Sequence, residues 1–260
     1  MKAWLLAIPL LVPMFAVNGA QSPAEKGRAI AVEANRRDSG WGDLRTRMEM
    51  VLRNRQGQES RRRIRTRLLE VDGDGDKSLL VFEFPRDVKG TALLSYSHAV
   101  KADDQWLFLP AIKRVKRIAS ANKSGPFMGS EFAYEDLTSQ EVAKYHYRWL
   151  RDEELDGRLA FVIERRPAYE HSGYTRQVAW VDKSNYRPLK VDYYDRKNAL
   201  LKTLTVHGYR EYLDRYWRPD RMEMVNHQTG KSTTLRWSDY RFKTGLRDRD
   251  FDRNALKRVR

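Results

Sequence analysis

Side chains able to do chemistry are plentiful in this 260-residue chain, but few are spaced to do it together. Asp72, Asp74 and Asp76 stand at alternate positions with Glu83 further on, the spacing of an oxygen-ligand calcium loop. Lys77, however, replaces the glycine that such a loop needs for its sharp turn, and strand-like runs flank it. A hairpin turn is the better reading. The stretch "TGKSTT" from Thr229 to Thr234 resembles the end of a phosphate loop, but Val225 stands where the earlier glycine is required. His98, His146, His171, His207 and His227 are scattered without metal-ligand spacing, and no Gly-x-Ser-x-Gly elbow occurs. The sequence therefore assigns no catalytic residue, no metal and no cofactor. It reads as a binding protein and not as an enzyme.

A different pattern runs from Asp103 to Leu137, "DDQWLFLPAIKRVKRIASANKSGPFMGSEFAYEDL". Aromatics beside Lys and Arg suit a surface that meets nucleic acid or one that handles lipid, and the net charge of +15 favours an anionic partner of either kind. The compartment separates the two. Lys2 precedes an apolar run from Ala3 to Val17, with small residues at Gly19 and Ala20, as in a cleaved secretory signal over residues 1–20. The run falls short of the roughly 20 apolar residues of a spanning helix. An exported bacterial protein meets phospholipid head groups and envelope proteins, so nucleic acid is excluded as a partner and the periplasm is the expected location. With no cysteine in the chain, neither a disulfide nor a lipid anchor is available.

These residues need elements to hold them. Ser22-Pro23-Ala24-Glu25 is a capping box with proline at the first helical position, predicting a helix to about Arg37. From Leu44 to Arg53 the period changes to two. Turn signals then recur between short apolar runs, predicting about ten antiparallel strands in one domain over residues 21–260. "DRDFDRNALKRV" predicts a short closing helix. Ala119 to Gln140 resists strand assignment, and long loops in compact domains are commonly functional.

Trp106 and Phe108 point to one side of their strand, Leu107 and Leu109 to the other, so both faces are apolar. One face can pack under a helix and the other can line a cavity. Phe127, Met128, Phe132 and Tyr134 then form either a movable apolar lip or a plug in the core. Arg45, Arg47 and Arg53 share a strand face, as do Arg61, Arg63, Arg65 and Arg67. They form either a solvated face or a docking face for an anionic membrane or acidic partner.

Trp106, Leu109, Pro110, Arg114, Arg117, Ser124, Phe127, Met128, Gly129, Ser130, Tyr134, Glu135 and Asp136 together resemble the signature of LolA-like outer-membrane lipoprotein-sorting proteins. The branch resembled is the longer one associated with RND-type (MMPL-like) exporters. The resemblance implies a mainly β fold: one strongly curved antiparallel sheet, a half-open barrel, with an N-terminal helix and short helices or loops over its concave side. It implies a soluble periplasmic carrier of lipoprotein or lipid acyl chains, moving them toward the outer membrane with an RND/MMPL-type inner-membrane transporter. Trp106, Phe108, Leu109, Phe127, Met128, Phe132 and Tyr134 would face the chains in a cavity beneath Ala119–Gln140. Arg114, Lys116 and Arg117 would meet the head group or a partner. The alternative is a non-transporting basic β adaptor that docks on an envelope transporter or an anionic membrane.

Overall fold

The computed structural model describes residues 21–258, so the signal segment expected at residues 1–20 lies outside them. Ser22 caps α1 (Pro23–Arg37): its hydroxyl accepts the Glu25 amide at 3.2 Å, and the Glu25 carboxylate accepts the Ser22 amide at 2.8 Å. Two orphan donors of the first turn are satisfied reciprocally. Fifteen strands follow among the described residues. The first six are β1 (Asp43–Arg53), β2 (Glu59–Leu69), β3 (Lys77–Phe84), β4 (Ala92–Tyr96), β5 (Asp104–Leu109) and β6 (Arg114–Arg117). Next come β7 (Tyr145–Leu155), β8 (Arg158–Pro167), β9 (Arg176–Asp182), β10 (Pro188–Tyr194) and β11 (Leu200–His207). The chain ends with β12 (Arg210–Tyr212), β13 (Tyr216–Arg218), β14 (Arg221–Asn226) and β15 (Ser232–Phe242).

Thirteen strands make one antiparallel sheet in the order β6-β5-β4-β3-β2-β1-β15-β14-β11-β10-β9-β8-β7, and β12 pairs only with β13. The sheet does not close, because β6 and β7 are its two edges. This order explains the long loop. Consecutive strands β6 and β7 stand at opposite ends of this order, so the connection between them is no tight turn and runs over the sheet. It does so over the concave face as a strap, residues 118–144. The later strands then step back until β15 pairs with β1, placing Met48 opposite Trp237 and Met50 opposite Leu235.

The strand count exceeds the expected ten for identifiable reasons. β6 is a basic run with Val115 as its one apolar residue, and β12 and β13 have three residues each. No residue of β7 is fully buried, so its apolar period is weak. The expected closing helix consists of two 3₁₀ turns, Asp248–Phe251 and Arg253–Arg258.

The largest core lies on the concave face, where Met48, Met50, Ile64, Phe82, Met224 and Leu235 meet Ile30 of α1 and Phe127 and Phe132 of the strap. A second core is on the convex face, where Leu246, Phe251 and Leu256 cover Leu79, Val81, Leu94, Trp106 and Phe108. α1 packs against edge strand β7 so closely that a Cβ at Gly27 would lie 2.6 Å from the Trp149 amide nitrogen. Lys26 reinforces the contact from 3.5 Å above the Trp149 ring.

Candidate functional site

The strap is fastened at both ends of its crossing. On the β5 side, Gln105 donates to the Tyr134 carbonyl at 3.0 Å, and Lys123 and Lys144 both bond to Asp103, through its carbonyl and carboxylate respectively. Arg62 of β2 donates to the carbonyl of Met128, a residue held at φ 49°. On the other side, Glu135 accepts from the Gly173 amide at 2.8 Å, the Ser172 hydroxyl at 2.8 Å and the Tyr169 phenol at 3.0 Å. Burial nevertheless holds its carboxyl above the usual range. Gly173 is required there, since a Cβ would lie 2.9 Å from the Ser124 Cβ and 3.0 Å from the Glu135 carboxylate.

Asp136 pairs with Lys202 of β11 at 2.7 Å, with side chains 5% and 4% exposed. Lys202 also donates to the Glu131 carbonyl at 2.8 Å and lies 5.1 and 5.2 Å from the centres of the Tyr174 and Tyr193 rings. The Tyr174 phenol donates to Asp136 at 2.9 Å, and burial pushes it up well above its ordinary pKa. A buried ion pair is tolerable only when its remaining valences are filled in this way. Glu135 and Asp136 of the opening motif thus hold the strap in place.

Phe127, Met128, Phe132, Tyr134 and Leu109 belong to the concave core or pack against it. Phe127 is 0% and Phe132 3% exposed, with Phe127 between Phe82 (5.7 Å) and Tyr134 (5.6 Å, edge on). In this state they plug the concavity. Trp106 and Phe108 correct the expectation that they share that interior: they lie on the convex face under the C-terminal segment, with Arg253 5.8 Å from the Trp106 ring. Leu107, between them, takes the concave side. The physical reason is that both faces of β5 are covered, so apolar type alone does not tell them apart.

The basic trio is divided in the same way. Arg117 stands opposite Trp106, whereas Lys116 and Arg114 stand opposite Leu107 and Leu109, so neighbours in sequence project to different faces of edge strand β6. Arg117 pairs with Asp104 at 2.5 Å.

A half-open cavity of about 1160 Å³ lies between α1 and the concave face, beside the strap aromatics and not beneath them. The strap contributes only its end, Ser139 to Val142. Ile30, Ala34, Leu44, Ile163, Val181 and Met222 give the cavity apolar walls. Glu70, Asp74, Asp76 and Glu141 lie along one part of the rim. Burial pushes the Asp76 carboxyl up to about 7, with Glu141 and Glu70 adding to the shift. Arg187, Arg215 and Arg218 line another part. Sequence reading missed these arginines, although a signal exists: Tyr186-Arg187-Pro188 and Trp217-Arg218-Pro219 repeat one pattern after two turns.

The arginine stripes form one patch on the convex face. Arg45 stands opposite Arg67 and Arg241, Arg47 opposite Arg65, and Glu49 opposite Arg63 and Arg236. Carboxylates are interspersed: Glu59 meets Arg53 at 2.5 Å and Arg61 at 3.0 Å, Glu49 meets Arg236 at 3.4 Å, and Asp239 meets Arg47 at 3.7 Å.

A family model described as "Uncharacterized protein" matches residues 74–258. Among solved structures, an outer membrane lipoprotein-sorting protein domain from Vibrio parahaemolyticus is 61% identical over 90% of this chain and 99% of its own, with a TM-score of 0.89. A DUF1329 family protein from Desulfovibrio piger is 32% identical over 90% of this chain and 99% of its own, at a TM-score of 0.86. A LolA superfamily protein from Nitrosomonas europaea shares the fold at 22% identity, covering 88% of this chain and 98% of its own, with a TM-score of 0.71. No curated protein matches.

Proposed function

The chain belongs to the DUF1329 family and has a LolA-like fold, and from that premise we propose that it is a periplasmic carrier for the acyl chains of a lipid or lipoprotein. The observation that carries this reading is the half-open cavity of about 1160 Å³ with apolar walls under α1. Its volume exceeds the roughly 300–1,000 Å³ of ordinary small-molecule pockets. Moving hydrocarbon through water costs about 0.8 kcal/mol per CH₂ exposed, so a soluble carrier must offer such a hollow. The relative from Vibrio parahaemolyticus, described as a lipoprotein-sorting domain, supports the same reading. The single carrier domain is assigned to residues 21–260, and the cargo would travel toward the outer membrane after delivery by an RND/MMPL-type inner-membrane transporter. The reading requires no covalent chemistry.

Within this proposal the strap residues Phe127, Met128, Phe132 and Tyr134, with Leu109, border the space that acyl chains reach when the strap shifts. Ala34 of α1 gives a direct test. A tryptophan there fills the cavity from the helix side, so Ala34→Trp should take up a fluorescent acyl probe far less than the parent protein. Its thermal midpoint should stay close to the parent value. Undiminished uptake by a folded Ala34→Trp variant would place the acyl site elsewhere.

The convex arginine patch favours a second reading, a docking face for an anionic bilayer or an acidic transporter domain. A protein that only docks would take up no acyl probe.

A further inference from the structure

The cavity wall holds more positive charge at one place than its own carboxylates balance. Arg187 and Arg218 donate to the same oxygen of Asp38, at 3.0 and 2.6 Å. Their side chains are only 7% and 13% exposed, while Asp38 is 42% exposed. One half-exposed carboxylate therefore serves two nearly buried guanidinium groups. Glu70, another cavity carboxylate, uses its two oxygens on the Gly40 and Gly42 amides at 2.6 and 2.8 Å. Arg215, on the same wall, donates to the Arg36 carbonyl at 3.3 Å at the end of α1. The buried Nε of Arg187 has no hydrogen-bond partner among the described residues. An arginine desolvated to this degree and incompletely paired is costly unless something else completes it.

The guanidinium groups are also held in position. The Arg218 guanidinium lies 5.9 and 5.6 Å from the centres of the Trp41 and Phe242 rings and donates to the Trp217 carbonyl at 2.9 Å. Planar, fixed guanidinium groups suit the oxygens of a carboxylate or phosphate. The apolar walls of Leu44, Val181 and Met222 belong to the same hollow. We infer that Arg187 and Arg218 form the head-group subsite of this cavity, and that its cargo is an anionic amphiphile with a carboxylate or phosphate joined to hydrocarbon. Arg114, Lys116 and Arg117 of β6 are not among the cavity-lining residues.

This inference rests on the carrier reading, and one competition experiment separates the two. The full-length mature protein, freed of lipid, is loaded with a neutral fluorescent acyl probe. Dodecyl phosphate, dodecanoate, dodecanol and monododecanoyl glycerol are then titrated against it. The two anionic ligands should displace the probe at concentrations at least about tenfold lower than the neutral ones, as charge-assisted bonds to nearly buried guanidinium groups require. Arg187→Gln and Arg218→Gln should narrow that gap, the anionic ligands losing more affinity than the neutral ones, while Arg218→Lys should retain part of the preference. Because Asp38 also ties these arginines to the end of α1, a variant that fails to fold leaves the parent protein's own ranking as the test. Equal affinity for charged and neutral ligands would overturn the inference and leave the carrier reading standing. Displacement by inorganic phosphate alone would assign the subsite to a free anion and overturn the amphiphile. If no tailed ligand bound, the carrier reading would fall and the inference with it.

Discussion

Asp136 and Lys202 form an ion pair almost wholly removed from water. Asp136→Ala leaves an uncompensated ammonium among tyrosine rings and should cost about 3–5 kcal/mol, read from urea unfolding. Asp76 gives a prediction in pH. Its folded pKa, about 7, lies above the ordinary carboxyl value of 3.8, so the folded protein binds more protons between those values and loses stability as pH rises through that window. Asp76→Asn should therefore flatten the fall in thermal midpoint between about pH 4 and 7 and raise stability at pH 8. Legibility at this scale was uneven. The strap aromatics were visible as a group because loops seldom carry four large apolar residues without burying them. The face taken by Trp106 and Phe108 is not legible from residue type, because β5 is apolar on both sides. Arg187 and Arg218 share a local aromatic-Arg-Pro pattern, but only the folded sheet brings them to Asp38, 149 and 180 residues away in sequence.

Among the elements, α1 was fully readable because its capping box is local. β7 was not, because its partners β8 and α1 bury it only in part. The close fit between α1 and β7 depends on Gly27, and the obstacle a side chain would meet there is backbone, which cannot rotate away. Gly27→Ala should lower stability by about 1–3 kcal/mol, the usual cost of overpacking, despite alanine's better helix propensity. Differential scanning calorimetry measures it. A stabilised Gly27→Ala protein would show that α1 is free to lift from β7. The strap is an element defined by topology: it joins strands at opposite ends of the sheet order, which no local pattern encodes.

For the molecule as a whole, the period-two runs and recurrent turns were enough to indicate one large antiparallel sheet. Its open edges and the position of the cavity depend on pairings that turn signals do not specify. The charge of +15 gathers partly on the convex face, where register sets Arg47 directly opposite Arg65. Like charges so placed repel, by an amount of order 0.2–1 kcal/mol. Arg47→Glu exchanges an exposed 3.7 Å contact with Asp239 for attraction to Arg65. Its stability should be unchanged or slightly raised, while co-sedimentation with phosphatidylglycerol vesicles falls. Vesicle binding that is indifferent to this change, and to salt, would mark the patch as merely solvated.

The pairing of β1 with β15 has a consequence for how the molecule is made. It joins a six-strand arm to a seven-strand arm through partners such as Met48 and Trp237. A polypeptide threaded through a pore amino end first delivers β1 long before β15 emerges. Until the last strand arrives, Met48 and Met50 lack their neighbours and β1 presents unpaired amides, so nascent half-molecules are the stage at which aggregation and chaperone capture compete with completion.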